Sequence, residues 1–329
     1  MPFNHRERLE ITLSGAQPDR PPIALWHHFP VDDQNAVTLA ESTIAFQKQF
    51  DFDLVKVSPP SSFCLKDWGA IDEWRGDPEG TRTYSHRVIS HPEDWTNLTV
   101  LDPHQGYLGQ QLRCLAFLQT AFSDHTPVLQ TIFNPLSQAK NLVGPTRLLE
   151  HLRLFPDAVH RGLQTIQETT LRFIDAAKEY SIAGIFYAIQ HASYIEMTAN
   201  EYEAFGVTYD LPILETVKDL WANMAHIHGE SIMFELIAKY PVQILNWHDR
   251  ETSPSMEMGL EQFNGAVCGG ISRIESLVLG TPKTIQEEVR QAIEKTGGKR
   301  LILGTGCVLP LTTPYGNIMA ARKAVESER

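Results

Sequence analysis

Eight short apolar segments constrain the fold of this chain more than any other feature. They start near residues 23, 53, 128, 183, 223, 242, 266 and 300, and helical patterns separate nearly all of them. The segments are apolar throughout rather than alternating, as in parallel strands that are buried on both faces. Eight such units predict an α/β protein with a single-domain (β/α)8 TIM barrel over residues 1–329. An open dinucleotide-binding sheet fits less well, because Leu309 stands where the third glycine after Gly304 and Gly306 belongs.

Residues 58–100 interrupt this alternation after the second segment. The stretch 76–80 is rich in turn residues, and 81–89 alternates in the manner of a strand, which predicts a hairpin. Insertions of this length in a compact domain are usually functional or disordered. The aromatic residues favour an ordered lid over disorder, and they are Trp68, Trp74, Tyr84 and Trp95.

Composition narrows the class of partner. The formal net charge is -12, which argues against nucleic acid or an anionic membrane as the main partner. The four cysteines form no CxxC pair, as expected in a reducing cytoplasm. The start of the sequence lacks an apolar signal core, and no apolar run has the length of a bilayer span. We therefore expect a cytoplasmic protein that acts on a small molecule.

In (β/α)8 barrels the active site lies at the carboxyl ends of the strands, so the residues at these ends are the candidates for the site. They are rich in histidine and cysteine, and they carry His27, His28, Lys56, Asn134, Gln190, His191, His226, His228, His248, Asp249, Cys268 and Cys307. His226 and His228 are two residues apart, so in a strand both side chains share one face. Two imidazoles and a thiolate are ligands that zinc prefers, with a fourth position left open. We predict a zinc site formed by His226, His228 and Cys307.

The remaining strand-end residues are assigned to catalysis and substrate binding. His248 and Asp249 could orient a ligand histidine or relay a proton. The alternative for this pair is an ordinary hydrogen-bonded strand end. The candidate substrate contacts are His27, His28, Lys56, Asn134 and Gln190.

Several motifs resemble the uroporphyrinogen decarboxylase superfamily. They are Arg-Pro-Pro at 20–22, FYAIQ at 186–190, HIHG at 226–229 and GTGCVLPLTTPYGN at 304–317. The match covers nearly the whole chain and implies the same (β/α)8 fold. The superfamily holds two different activities, so membership alone does not decide the function.

One branch decarboxylates uroporphyrinogen without a cofactor. The resemblance to it implies an arginine-rich loop after the first strand, which holds the substrate carboxylates. The corresponding stretch 26–30 reads Trp-His-His-Phe-Pro and contains no arginine. That branch also typically has histidine where this chain has Cys307. A cofactor-free decarboxylase is therefore the alternative rather than the first choice.

The other branch resembles methylcobalamin:coenzyme M methyltransferases, whose zinc is held by an HxC pair and a later cysteine. His226 and Cys307 match this pattern, and His228 stands where the pattern has cysteine. A neutral imidazole in place of a thiolate makes the site one unit less negative and the zinc more Lewis-acidic.

This resemblance implies a zinc-dependent methyltransferase that moves a methyl group to a thiol. The zinc would lower the pKa of the thiol, and the methyl group would come from methylcobalamin or another corrinoid. The stretch 102–106 is one residue short of a corrinoid-binding DxHxxG motif, so we expect a separate corrinoid protein as partner. A non-catalytic binder of a corrinoid or tetrapyrrole stays open as a third possibility.

Overall fold

The computed structural model describes residues 3–122 and 125–326. Its strands are β1 (Val55–Val57), β2 (Ile71–Glu73), β3 (Thr83–His86), β4 (Val128–Phe133), β5 (Gly184–Ile189), β6 (Met224–Ile227), β7 (Ile244–Trp247), β8 (Ala266–Ile271) and β9 (Leu301–Thr305). Seven of them form one parallel sheet in the order β1-β4-β5-β6-β7-β8-β9. Every residue of these seven strands is buried, which explains why their sequences are apolar rather than alternating.

Helices separate the parallel strands and cover the sheet. They are α1 (His5–Leu13), α2 (Ala36–Phe50), α3 (Gly106–Phe122), α4 (Pro135–Val143), α5 (Pro145–Leu154), α6 (Pro156–Lys178), α7 (Ala199–Tyr202), α8 (Thr208–Thr216), α9 (Phe234–Ile237), α10 (Met256–Gln262), α11 (Pro282–Thr296) and α12 (Tyr315–Ala324). The ends of α11 follow its sequence: Thr281 caps the amino end, Pro282 occupies the first turn, and Gly297 adopts a positive φ of 64° at the carboxyl end. None of the helices in the described ranges is both long enough and apolar enough to span a bilayer.

The segment near residue 23 is not a strand, and this prediction was wrong. Ile23 forms a single parallel bridge to Leu303, and Ala24 N donates to Leu303 O at 2.9 Å. On its other side, Asp53 N donates to Ile23 O at 2.9 Å. The physical reason is local, because Pro21 and Pro22 have no N–H to donate to a ladder. The segment therefore lies between β9 and the start of β1 without forming an eighth strand.

The predicted hairpin is present within residues 58–100. Strands β2 and β3 pair in antiparallel fashion, with an irregular register at Ile71–Asp72. The insertion is fastened to its surroundings at several points. Leu311 N donates to Pro78 O at 2.7 Å, and Arg82 Nη1 donates to Pro30 O at 2.8 Å. It thus lies over the carboxyl-terminal side of the sheet, next to the loops that follow Ile23 and β9.

A buried charge cluster holds the amino-terminal side of the sheet. Asp53 is fully buried and accepts hydrogen bonds from Arg8 Nη1 and Arg20 Nη1, each at 2.7 Å, and from Ile23 N at 2.9 Å. Burial by itself would raise the pKa of this carboxyl. The hydrogen bond from His5 and the charges of Arg20 and Arg8 outweigh it and hold the pKa well below its usual range. The cluster joins α1, the segment before Ile23 and the start of β1.

Candidate metal centre

Four potential metal ligands meet at the carboxyl ends of neighbouring strands. His226 is the last but one residue of β6, His228 follows that strand, His248 follows β7, and Cys307 follows β9. One donor atom from each of the four residues lies within 4.8 Å of the others. The close approach depends on Gly306, because a Cβ there would lie 2.5 Å from His248 Cα. Parallel strands bring their carboxyl ends together, so residues that are 81 positions apart in sequence become neighbours.

Three of the separations between the donor atoms are close to those of a tetrahedral zinc site. Cys307 Sγ lies 3.8 Å from His226 Nε2 and 3.8 Å from His228 Nδ1, and His248 Nε2 lies 3.3 Å from His228 Nδ1. Zinc bond lengths imply about 3.6 Å between nitrogen and sulfur and about 3.3 Å between two nitrogens at tetrahedral angles. These three separations lie within a few tenths of an ångström of the tetrahedral values, and all four donor atoms lie within 4.8 Å of one another, so the donor set is compatible with zinc.

Asn246 fixes the orientation of the His226 ring. Its amide nitrogen donates to Cys268 O and Thr305 O, each at 2.9 Å, so its Oδ1 is the atom that faces His226. His226 Nδ1 therefore donates to Asn246 Oδ1, at 2.7 Å, and Nε2 is left free toward Cys307. A hydrogen-bonded second nitrogen is the usual arrangement for a metal-binding histidine. Asn246 was not among the predicted site residues, although an asparagine inside the apolar segment 244–247 is a visible signal.

Glu251 fixes the orientation of the His248 ring. Its Oε2 lies 3.0 Å from His248 Nδ1, and a carboxylate can only accept, so in neutral His248 the proton is on Nδ1 and the lone pair of Nε2 faces His228. Glu251 also accepts from Arg273 Nε at 3.2 Å, and Arg273 pairs with Glu79 of the insertion. His248 was predicted to be catalytic, and the structure places it among the donors. A chain of contacts thus joins the insertion to the donor cluster.

The protonation states also suit metal binding. Burial lowers the pKa of His226 well below its ordinary value, and burial together with His248 lowers that of His228 to about 4. Both imidazoles are therefore neutral near pH 7 and have a lone pair to offer. Burial raises the pKa of the Cys307 thiol, while the nearby charges of Arg273 and Lys56 act in the opposite direction. A bound divalent cation would favour the thiolate further.

Three predicted residues do not reach the donor cluster. Asp249 points toward β8, where its Oδ2 accepts from Gly270 N at 3.0 Å. Asn134 caps α4 by accepting from Ser137 N at 3.0 Å, and its amide donates to Asp210. His27 packs its ring 4.4 Å from that of Phe29. Their predicted roles in catalysis or substrate binding stay predictions, and no contact with the donors supports them.

A cavity of about 480 Å³ opens beside the cluster. His228 lines it, together with two predicted substrate contacts, His28 and Gln190. Lys56 is buried close by, with its Nζ 4.8 Å from the centre of the Phe186 ring, which stacks on His226. The cationic residues of the wall were not predicted from the sequence, and they are Arg82, Arg87 and Lys140.

Comparison with known proteins identifies the family. The model of the uroporphyrinogen decarboxylase (URO-D) family matches residues 4–328. The chain belongs to the uroporphyrinogen decarboxylase family. Membership confirms the predicted resemblance and indicates an enzyme. No curated protein matches the sequence significantly.

Three solved structures share the fold of this URO-D family member. A methyltransferase from Methanosarcina mazei is 17% identical with a TM-score of 0.86, and the match covers 99% of both chains. A B12-independent methionine synthase from Shewanella sp. W3-18-1 is 12% identical with a TM-score of 0.55, over 95% of both chains. A putative B12-independent methionine synthase from Listeria monocytogenes is 11% identical with a TM-score of 0.54, over 94% of this chain and 95% of the other. At these identities the likeness shows the fold alone.

Proposed function

We propose that this protein is a zinc-dependent methyltransferase that moves a methyl group to a thiol. The observation that carries the proposal is the donor cluster of His226, His228, His248 and Cys307, whose donor atoms all lie within 4.8 Å of one another, three of the separations being close to those of a tetrahedral zinc site. A decarboxylase that works without a cofactor has no use for such a cluster. We further propose that the methyl group comes from a corrinoid carried by a separate protein.

The structural neighbours support methyl transfer more than they support a corrinoid as the methyl donor. The neighbour with the TM-score of 0.86 is a methyltransferase, and the two others are named as methionine synthases. The latter two are described as B12-independent. The corrinoid donor therefore rests on the sequence resemblance alone, and a different methyl donor is compatible with the same site.

The residues around the cluster suggest how the acceptor is prepared. Zinc, when bound, supplies the Lewis acidity that keeps the acceptor thiol deprotonated at neutral pH. Asn246 and Glu251 hold His226 and His248 with one free nitrogen turned inward. Because catalytic zinc usually keeps one position open, we assign three ligands to His226, His228 and Cys307.

His248 then has the role of base. The proton of the acceptor thiol passes to His248 Nε2, and the carboxylate of Glu251 stabilises the resulting imidazolium through Nδ1. The acceptor sulfur forms a bond to the methyl carbon, while the bond between that carbon and the donor breaks. Its electron pair stays with the donor.

The proposal extends to the architecture. We propose that the sheet and the segment around Ile23 work as a (β/α)8 barrel, with residues 58–100 as a lid over its mouth. The lid approaches the cavity closely at Gly80, where a Cβ would lie 2.6 Å from His28 Cβ. Such a cover excludes water from the reacting sulfur and from the methyl group.

Two assays separate the candidate functions. Zinc-loaded protein is incubated with methylcobalamin and a panel of thiols, and demethylation is followed by absorbance and by mass spectrometry of the methylated thiol. We expect methyl transfer that is lost after chelation of zinc. Release of CO2 from uroporphyrinogen by metal-free protein would establish the decarboxylase instead. A spectral change on corrinoid or tetrapyrrole binding, without any product, would establish a binding protein.

A further inference from the structure

Of the three imidazoles in the donor cluster, only that of His228 lacks a partner for its second ring nitrogen within the described ranges. His226 Nδ1 donates to Asn246 Oδ1 at 2.7 Å, and His248 Nδ1 lies 3.0 Å from Glu251 Oε2. His228 instead directs Nδ1 toward the cluster, and its Nε2 forms no hydrogen bond with a described residue. The ring of His228 is therefore held differently from the other two.

The Nε2 atom of His228 is open to the cavity. Ring nitrogens that are both buried and unpartnered occur at His28 and His191, whereas Nε2 of His228 is accessible. His228 lines the cavity of about 480 Å³, so the accessible nitrogen faces the space in which a ligand would lie. When Nδ1 offers its lone pair to a metal, the ring proton is on Nε2, which is then a donor. The ring thus presents an N–H to the cavity.

A missing acceptor is unusual for a histidine that binds a metal. Such a histidine almost always donates its second N–H to a carboxylate, a backbone carbonyl or water. In this chain Asn246 and Glu251 take that role for the two neighbouring rings, and no described residue takes it for His228. The acceptor for His228 therefore comes from the contents of the cavity.

A second unpartnered nitrogen lies in the same wall. His191 is only 2% exposed, lines the cavity, and has a buried Nδ1 without a hydrogen-bond partner. The backbone brings it near His228, because His228 N donates to Ile189 O at 2.9 Å, two residues before His191. Buried polar groups without partners are uncommon in native proteins and call for an explanation. One polar ligand that contacts both rings supplies it.

We propose that His228 Nε2–H donates a hydrogen bond to an uncharged oxygen of the methyl acceptor, so that His228 determines specificity as well as binding the metal. The assignment of this oxygen to the acceptor rests on the proposed function, whereas the direction of the N–H does not. Neutral imidazoles offer hydrogen bonds without charge, which suits an alcohol or an amide oxygen. A hydroxyl that accepts from His228 can also donate to His191 Nδ1.

The position of the N–H defines the shape of this acceptor. The two nitrogens of an imidazole point to different sides of a rigid ring. An oxygen that accepts from Nε2 therefore lies beyond the ring as seen from Cys307, away from the group bound at the cluster. The acceptor class is thus a thiol whose alcohol or amide oxygen is several bonds from the sulfur.

Calorimetric titration of zinc-loaded protein tests the hydrogen bond. Two pairs of uncharged thiols match in shape and differ in polarity: 4-mercapto-1-butanol with 1-pentanethiol, and 3-mercaptopropanamide with 3-methyl-1-butanethiol. The variant is His228→Cys, because cysteine keeps a zinc ligand and removes the N–H. We expect the preference for the polar member of a pair to fall about tenfold, since the loss of one partner leaves a polar group unpaired. His104→Cys, at an exposed loop residue before α3, is the matched control and should keep the wild-type preference.

Nitrogen NMR of protein labelled with 15N-histidine tests the ring in wild type. Zinc-loaded protein should carry the His228 proton on Nε2, and the signal is assigned by its absence from His228→Cys. Addition of 4-mercapto-1-butanol or 3-mercaptopropanamide should shift this N–H resonance more than the matching alkanethiol does. A proton on Nδ1 would overturn the inference, because Nε2 would then have nothing to donate. Equal shifts for the polar and apolar members of both pairs would overturn it as well.

The outcomes also distinguish this inference from the proposed function. A preference that falls in His228→Cys supports the hydrogen bond even if none of the thiols is methylated. The pair that shows the fall tells whether an alcohol or an amide is accepted. Equal preferences in wild type and in zinc-loaded His228→Cys would overturn the inference and leave water as the partner of Nε2. A fall of the same size in His104→Cys would overturn it too, since the effect would then not come from the cavity.

Discussion

The two ends of the parallel sheet hold buried polar clusters of opposite character. At the amino-terminal end, Asp53 is surrounded by Arg8, Arg20, His5 and the N–H of Ile23, so its charge is fully compensated. At the carboxyl-terminal end, three imidazole nitrogens and a thiol lie within 4.8 Å of one another. Groups that serve stability satisfy one another, whereas groups that serve a ligand leave their lone pairs free.

The difference predicts separable effects of mutation. The donor cluster should be needed for zinc but not for folding, because its members form few hydrogen bonds among themselves. The Asp53 cluster should be needed for stability but not for zinc, because it lies at the other end of the strands. A variant of either cluster should therefore change one of these two properties and leave the other unchanged.

The largest effect is expected from removal of a donor. We predict that purified protein contains close to one zinc per chain and that His226→Ala and Cys307→Ser lose nearly all of it, since three-ligand zinc sites seldom tolerate loss of a ligand. Metal analysis by plasma mass spectrometry measures the ratio. Cys114→Ser, which alters a buried cysteine of α3, is the matched control and should keep its zinc. Zinc-free wild-type protein after expression and dialysis in zinc would contradict the metal centre.

At the opposite end, Asp53→Asn should destabilise the fold. The substitution leaves Arg8 and Arg20 buried without their shared counter-charge, which costs about 3–5 kcal/mol for a broken buried ion pair. Urea unfolding measures the loss. Asp51→Asn is the control, since Asp51 is 62% exposed in its pair with Arg322. The folded variant should still bind zinc at the wild-type ratio, and loss of zinc would mean that the two clusters are coupled.

The difference in stability between wild type and Asp53→Asn should depend on pH, and its direction follows from the pKa shift of Asp53. The pKa of Asp53 is lower in the folded protein than in the unfolded chain. Its contribution is therefore complete above the unfolded value of about 4 and is lost as the pH falls through the folded value. The stability of wild type and Asp53→Asn should converge only in acid. A gap that stays constant down to pH 2 would show that the carboxylate charge is not its source.

Some parts of the molecule were predictable from the sequence, and others were not. The strand positions and the pairing of His226 with Cys307 follow from local patterns, because apolar runs mark buried strands and parallel strands align their carboxyl ends. The absent eighth strand could have been predicted from Pro21 and Pro22, which cannot donate to a ladder. The apolar residues that follow these two prolines nevertheless favoured a strand.

The missed site residues depend on tertiary structure. Glu251 reaches His248 through the turn after β7, and Arg87 reaches the end of α4 only because the insertion folds back over the cavity. Neither residue belongs to a motif, and charged residues after a strand are common. Sequence patterns locate ligands that sit on strands, whereas the groups that orient those ligands come from loops whose path no short pattern specifies.

A smaller effect is expected from the residue that orients His248. We predict that Glu251→Gln weakens zinc binding about tenfold, since Glu251 holds His248 beside the ligand His228 and loss of a group that supports the ligands typically has at least this effect. Competition with a chromogenic chelator measures the affinity. Glu257→Gln, which alters a carboxylate that pairs with Lys295 on the outer helices, is the control and should leave the affinity unchanged. Equal effects of the two substitutions would indicate a general influence of net charge.

The smallest effect is expected where the insertion meets this network. Glu79 pairs with Arg273, which also bonds Glu251, and the Glu79 side chain is 33% exposed. A partly exposed pair is worth about 1 kcal/mol or less. We predict that Glu79→Gln raises amide exchange in β2 and β3 by no more than about fivefold, because the hairpin opens more often. Zinc content should stay at the wild-type ratio, with Glu73→Gln in the exposed pair with Arg75 as the control. Zinc loss in Glu79→Gln would mean that the insertion holds the donor cluster together, and the two ends of the sheet would then differ less than their contacts indicate.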